Sequence, residues 1–196
     1  MALQVPDAAL GLILNAEGLD QPSKWPGGSS GITIGVGYDL GFVTEAQFEE
    51  DWNPFLSEDQ IDRLKDVIGL SGDDASARAS EFSDIKIKRP DAEQVFKERT
   101  LPLYSQRTEK AFPGLDQLPA AVQGALVSLV FNRGPGMNGD SRREMRAVRD
   151  AVAAGDLQEI ADQIRAMKRL WEGKGLDGLL KRRDAEADLV ESAIEN

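Results

Sequence analysis

Two acids and a hydroxyl stand within one stretch of the chain, EGLDQPSKWPGGSSGITIGVGYDLG, which runs from Glu17 to Gly41. Glu17 opens it, Thr33 lies inside it and Asp39 comes near its end. Two carboxyl groups, one protonated and one ionised, are the equipment for acid–base cleavage of a sugar–sugar bond. The composition narrows the chemistry toward that pair. The 196 residues include no cysteine and no histidine. This removes disulfides, thiol nucleophiles, Ser-His-Asp triads and zinc sites of the Cys/His type. Acid–base work near neutral pH then falls to Asp, Glu, Lys or Tyr, with carboxylates of shifted pKa the best suited.

The elements that must position these groups can be read from pattern. Residues 6 to 17 predict a first helix, with Pro6 in a first turn, Asp7 at the positive end of the dipole and Leu10, Ile13 and Leu14 as an apolar stripe. Three residues on, the stripe reaches Glu17, just before Gly18, a natural helix-ending residue. On that face the carboxyl would be partly desolvated, which raises its pKa and favours the protonated form a general acid needs. At a frayed helix end it would face water instead. Residues 19 to 31 form a loop rich in Pro, Gly and Ser, in which Trp25 could stack on a sugar ring or cap the loop. Residues 32 to 38, ITIGVGY, predict a short strand or hairpin. Gly35, Gly37 and Gly41 do not make a Rossmann phosphate loop, which needs a strand before its first glycine and a helix opening at the motif. Here the glycines lie inside the expected strand, where they mark a bulge or a close backbone approach to a ligand.

Beyond this stretch the chain reads as helical. Thr44 with Gln47, and Ser57 with Gln60, spell two capping boxes, the second followed by Ile61, Leu64, Val67 and Ile68 at helical spacing. Residues 69 to 90 are polar, with a short helix near Ala75 to Phe82, and the connection between lobes is expected in or just after them. The β-containing lobe would span about residues 18–68 of a single 196-residue domain. Asp91 to Lys110 predicts a longer helix, kinked or divided at Pro102. Ala120 to Phe131 is apolar on nearly every face, the mark of a core helix. It ends at Asn132-Arg133-Gly134, where Asn132 could cap backbone groups or point into a cleft. Two more helices cover Ser141 to Ala154 and Leu157 to Leu170, and the last covers Leu179 to Ile194. Leu179, Leu180, Arg183, Ala187 and Val190 share one face of that last helix, so Arg183 is an inward-facing cation that needs an anion, with Arg182 at the edge. The fold class expected is α+β, mostly helical.

Glu17-Gly18, Thr33-Ile34-Gly35-Val36-Gly37-Tyr38-Asp39, Phe131-Asn132-Arg133-Gly134 and the closing Gly178-Leu179-Leu180-Lys181-Arg182-Arg183 with Glu186 resemble phage-type lysozymes. The match is closer to the pesticin-like muramidase branch, in which TIGxGYD carries the second acid after the threonine. The resemblance implies a lysozyme-like two-lobed fold with a cleft between a small hairpin lobe and a larger helical lobe. It implies that Glu17 is the general acid, that Asp39 is the second carboxylate and that Thr33 helps position the attacking water. Asn132 matches a cleft amide, Tyr38 and Trp25 would contact substrate, and Arg183 (or Arg182) resembles an arginine that contacts the catalytic glutamate. The other branch carries its aspartate between the glutamate and the threonine. In this chain that interval holds only Asp20, close to Glu17, which makes Asp39 the better candidate.

The implied substrate is bacterial peptidoglycan, cut between N-acetylmuramic acid and N-acetylglucosamine with no metal or cofactor. A lytic transglycosylase would use the same glutamate without a positioned water. A non-catalytic glycan-binding or structural module on the same fold would need no acid at all. The formal net charge of −11 argues against nucleic acid and anionic membrane as partners, and mildly against an anionic cell-wall polymer. No apolar run reaches the roughly 18 residues of a membrane span. MALQVPDAAL lacks the basic start and apolar stretch of a signal peptide. The expectation is a monomer made in the cytoplasm that meets peptidoglycan in the periplasm or cell wall, after lysis or through a secretion machine.

Overall fold

Helix α1, Asp7–Ala16, starts with an acid in its first turn and buries Ala9, Ile13 and Leu14. It belongs to the first of two compact units in the computed structural model, which describes residues 2–194. This unit comprises the residues up to Ala16 together with those from Leu103 onward. The second unit is Glu17–Pro102.

The first unit is built around α7, Ala120–Arg133, in which every residue from Val122 to Val130 is buried. Such a helix has no solvent face, so neighbours must cover it on all sides. It packs against α1 and against α10, Asp177–Glu191. α8 (Arg143–Ala154) and α9 (Leu157–Ala166) pack on one another, and α9 packs on α10. A Cβ on Gly124 would collide with the Cβ of Ala9, so the close crossing of α1 over α7 depends on glycine at that position. Between α8 and α9, Gly155 takes the left-handed conformation (φ 70°), and Asp156 then caps α9 by accepting from the Glu159 N–H at 3.0 Å. The core of the unit includes Phe112, Leu126, Leu129, Met145, Ile160 and Ile164.

The second unit opens with a two-stranded antiparallel hairpin, β1 (Thr33–Ile34) and β2 (Tyr38–Asp39). The glycines expected within a strand instead make its reversal: Gly35 and Gly37 both have positive φ, 65° and 66°. Gly35 is also a tight fit, because a Cβ there would lie 3.0 Å from the Trp52 ring. Both capping boxes are formed, Thr44 with Gln47 at the start of α2 (Glu45–Trp52) and Ser57 with Gln60 at the start of α3 (Glu58–Lys65). Next come α4 (Gly72–Arg78), a 3₁₀ turn (Ala79–Phe82) and α5 (Arg89–Val95). A π turn, Phe96–Thr100, follows before α6, Leu101–Ala111. It closes with the Leu101 N–H donating to Phe96 O. Pro102 offers no N–H of its own, and the wider turn ahead of it takes up the register change. The unit ends there.

Candidate active site

The hairpin register puts Thr33 directly opposite Asp39. Cross-strand partners of this kind have Cβ atoms about 4.5–5.5 Å apart on one face of the ribbon. Asp39 is held from two sides. The Gly31 N–H donates to Oδ1 and Oδ2 at 3.0 and 3.2 Å, and the Gly41 N–H donates to Oδ1 at 2.9 Å. Burial pushes this carboxyl above the ordinary aspartate range, and the N–H groups of Gly41 and Gly31 oppose that push. The result is a fixed carboxylate of raised basicity. Its grip requires Gly31, because a Cβ there would stand 2.5 Å from both Asp39 Oδ1 and the Gly41 nitrogen. Thr33 is buried, and its Oγ1 donates to Gly31 O over a long 3.4 Å, a weak bond that leaves the hydroxyl able to turn to another partner.

Asp20, set aside in the sequence for lying so near Glu17, has a definite place. Its backbone exchanges two hydrogen bonds with Gly35, at 2.7 and 3.0 Å. Its Oδ2 accepts from the Gly37 N–H at 3.1 Å. It therefore fastens the hairpin turn from outside. Burial raises its pKa, the Gly37 N–H works against that, and the charges of Glu17 and Asp39 raise it further. Asp20 thus lies in the field of both acids. Glu17 follows the last residue of α1 and is partly exposed, between the buried and water-facing positions its spacing allowed.

Two residues matched to substrate contacts also have partners within the protein. Tyr38 is only 7% exposed; its hydroxyl donates to Asp51 Oδ2 at 2.8 Å and its ring meets Trp52 edge-on at 5.7 Å. It is a core residue, since an alternating strand turns it to the face opposite its neighbour Asp39. Trp25 donates its indole N–H to Ser30 O at 2.9 Å, which closes the loop ahead of Gly31 and leaves part of its surface exposed.

The remaining candidates belong to the first unit. Asn132 is partly exposed in the last turn of α7, and its amide has no partner among the described residues. Arg182 is buried along with Arg183, not at the edge of the α10 face. Both reach Glu186, itself fully buried: Arg183 Nε lies 2.8 Å from Oε2, and Arg182 Nε 3.3 Å from Oε1. The Ser128 hydroxyl of α7 donates to the same carboxylate at 2.6 Å. Burial pushes Glu186 up and Arg183 down, each toward neutrality, while their opposite charges resist. The guanidinium of Arg183 lies over Trp171, and Arg133 does likewise. Glu186 follows Arg182 and Arg183 by four and three residues, the helical spacing that lets one carboxylate meet both cations.

The mostly helical α+β architecture with one small antiparallel hairpin is that of a lysozyme-like fold. The phage lysozyme family model matches residues 67–186, and the chain belongs to that family of lysozyme-type cell-wall hydrolases. The matched span contains Asn132, Arg182, Arg183 and Glu186, and begins after Glu17, Thr33 and Asp39. No curated protein matches the chain. Among the described residues, no helix is long and apolar enough to cross a membrane.

Proposed function

We propose that the chain is a muramidase of the pesticin-like branch, hydrolysing the β-1,4 bond between N-acetylmuramic acid and N-acetylglucosamine in peptidoglycan, in the periplasm or cell wall. The cross-strand pairing of Thr33 with Asp39 carries this reading, because it sets a hydroxyl beside a firmly held carboxylate. In the proposed mechanism Glu17 donates its proton to the leaving glycosidic oxygen. Asp39 accepts a proton from water that Thr33 helps orient, and its charge stabilises the oxocarbenium-like transition state. Water attacks from the opposite side of the sugar and the configuration inverts, which calls for carboxyl groups about 6.5–9.5 Å apart. The favoured route needs the water, and that separates it from a transglycosylase.

The test is turnover of purified peptidoglycan by wild type beside Glu17→Gln, with products read by mass spectrometry. The expected result is reducing muramic ends from wild type and a loss of at least about 10²-fold in the variant, the low end for removing a general acid. Activity within about tenfold of wild type would remove Glu17 from the acid role. Products lighter by one water would mean a transglycosylase. A second reading, a glycan-binding module without turnover, draws on one observation: Asp39 has a structural use, tying Gly31 to Gly41, that would keep it in place without catalysis. Binding to peptidoglycan with no product from the folded wild type would establish that reading instead.

A further inference from the structure

One groove in the first unit reverses the sign of this strongly acidic chain. It has a volume of about 460 Å³ and is lined by Arg107 and Lys110 of α6, Arg149 of α8, and Pro113, Pro135 and Met137. Among the described residues, no acidic side chain lines it. Arg149 is partly neutralised by Asp150 at 3.1 Å. The other two cations make no ion pair among the described residues. Arg107 lies over the Tyr104 ring, 4.9 Å from its centroid, and Tyr104 is braced edge-on by Phe131 at 4.7 Å. A guanidinium stacked by its face keeps its N–H edge available to an anion. The wall after α7 is set in advance. Arg146 donates to the carbonyls of Met137 and Gly139 at 2.6 and 2.9 Å, and Arg142 to that of Gly134 at 3.4 Å. A wall already ordered loses little freedom when a ligand binds.

We propose that this groove is an exosite for the carboxylates of peptidoglycan stem peptides. The proposal rests on the muramidase reading. Stem peptides are short, aliphatic and anionic, so a protein of net charge −11 is repelled by its own substrate unless a local field opposes the repulsion. Lys110 and Arg107 would take carboxylates, while Pro113, Pro135 and Met137 meet the aliphatic parts. The volume lies in the roughly 300–1,000 Å³ range of small-ligand pockets, which suits a few residues of peptide better than a folded partner's surface.

The experiment measures binding with the inactive Glu17→Gln protein, so it does not depend on turnover. It compares sedimentation with intact sacculi against binding, read by fluorescence anisotropy, to the soluble glycan strands that an amidase frees of their peptides. Replacing Arg107→Glu and Lys110→Glu together should weaken binding to intact sacculi about three- to tenfold at low salt. The difference should shrink as salt is raised, and it should be clearly smaller on stripped glycan, which keeps only the lactyl carboxylates. Lys110→Gln, a milder change at an exposed site, should move the same way by less. Thermal melts establish that each variant is folded. Unchanged binding to intact sacculi overturns the proposal and leaves the groove to an acidic protein partner. Equal weakening on both polymers also overturns it. A wild type that binds through the groove yet releases no product would overturn the muramidase reading while leaving the exosite standing.

Discussion

At the scale of single residues the question is which aspartate would work with Glu17 in the proposed mechanism. Asp20 and Asp39 are both held above the ordinary aspartate value by burial, but they are spent differently. Asp20 accepts from the turn at Gly37, whereas Asp39 stands opposite Thr33. Asp39→Asn is therefore expected to lower kcat by at least about 10²-fold, and Asp20→Asn to stay within about tenfold of wild type, both measured on purified peptidoglycan. The reverse order would return the second acid to the interval before the threonine. Stability gives an independent reading of Asp20. A carboxyl whose pKa is raised by folding binds its proton more tightly in the native state, so its ionisation weakens the fold above the raised value. That deficit fades as pH falls toward the unfolded value of 3.8. Asn at position 20 keeps an oxygen for Gly37 and removes the charge. The Asp20→Asn variant should then be more stable than wild type near pH 7 and lose that advantage below about pH 4, as read by urea midpoints across pH.

At the scale of elements, the hairpin depends on close backbone approaches. Gly31, Asp39 and Gly41 are joined by three hydrogen bonds in a space that excludes a methyl group at position 31. Gly31→Ala should cost about 1–3 kcal/mol by overpacking and loosen Asp39 at the same time. Equilibrium denaturation reads the first effect and kcat the second; a variant as stable and active as wild type would remove Gly31 from this role. The elements best forecast from sequence were those set by neighbours in the chain, such as the capping boxes at Thr44 and Ser57. Gly31 looked like ordinary loop glycine, because its constraint comes from a carboxylate eight residues away. The π turn before Pro102 was equally hidden, since its wider hydrogen bond leaves no periodic signature.

At the scale of the whole molecule, the two compact units carry different tasks. The first holds a buried ionic cluster in which Glu186 binds Arg182, Arg183 and Ser128, joining α10 to α7. Glu186→Ala would leave two buried guanidiniums without their carboxylate and should destabilise the protein by about 3–5 kcal/mol in urea unfolding. A loss below about 1 kcal/mol would mean that water or another anion takes its place. The net charge of −11 is likewise a property of the whole chain that misleads locally, since Arg107 and Lys110 gather where no acid among the described residues lines the groove.

The sequence by itself determined the capped helix starts at Thr44 and Ser57, the apolar α7 and the acids available for chemistry, because each depends on residue type and short-range spacing. It also carried the TIGVGYD motif, but the Thr33–Asp39 pairing came only with the fold, which makes Gly35 and Gly37 the reversal of the hairpin. Only the tertiary structure decided that Tyr38 belongs to the core, that Trp25 closes its loop and that Asp20 feels both Glu17 and Asp39. It also decided that Arg182 is as buried an ionic partner of Glu186 as Arg183 is. The reason is physical: side-chain direction, desolvation and charge coupling are set by groups far apart in the chain that meet only when it folds.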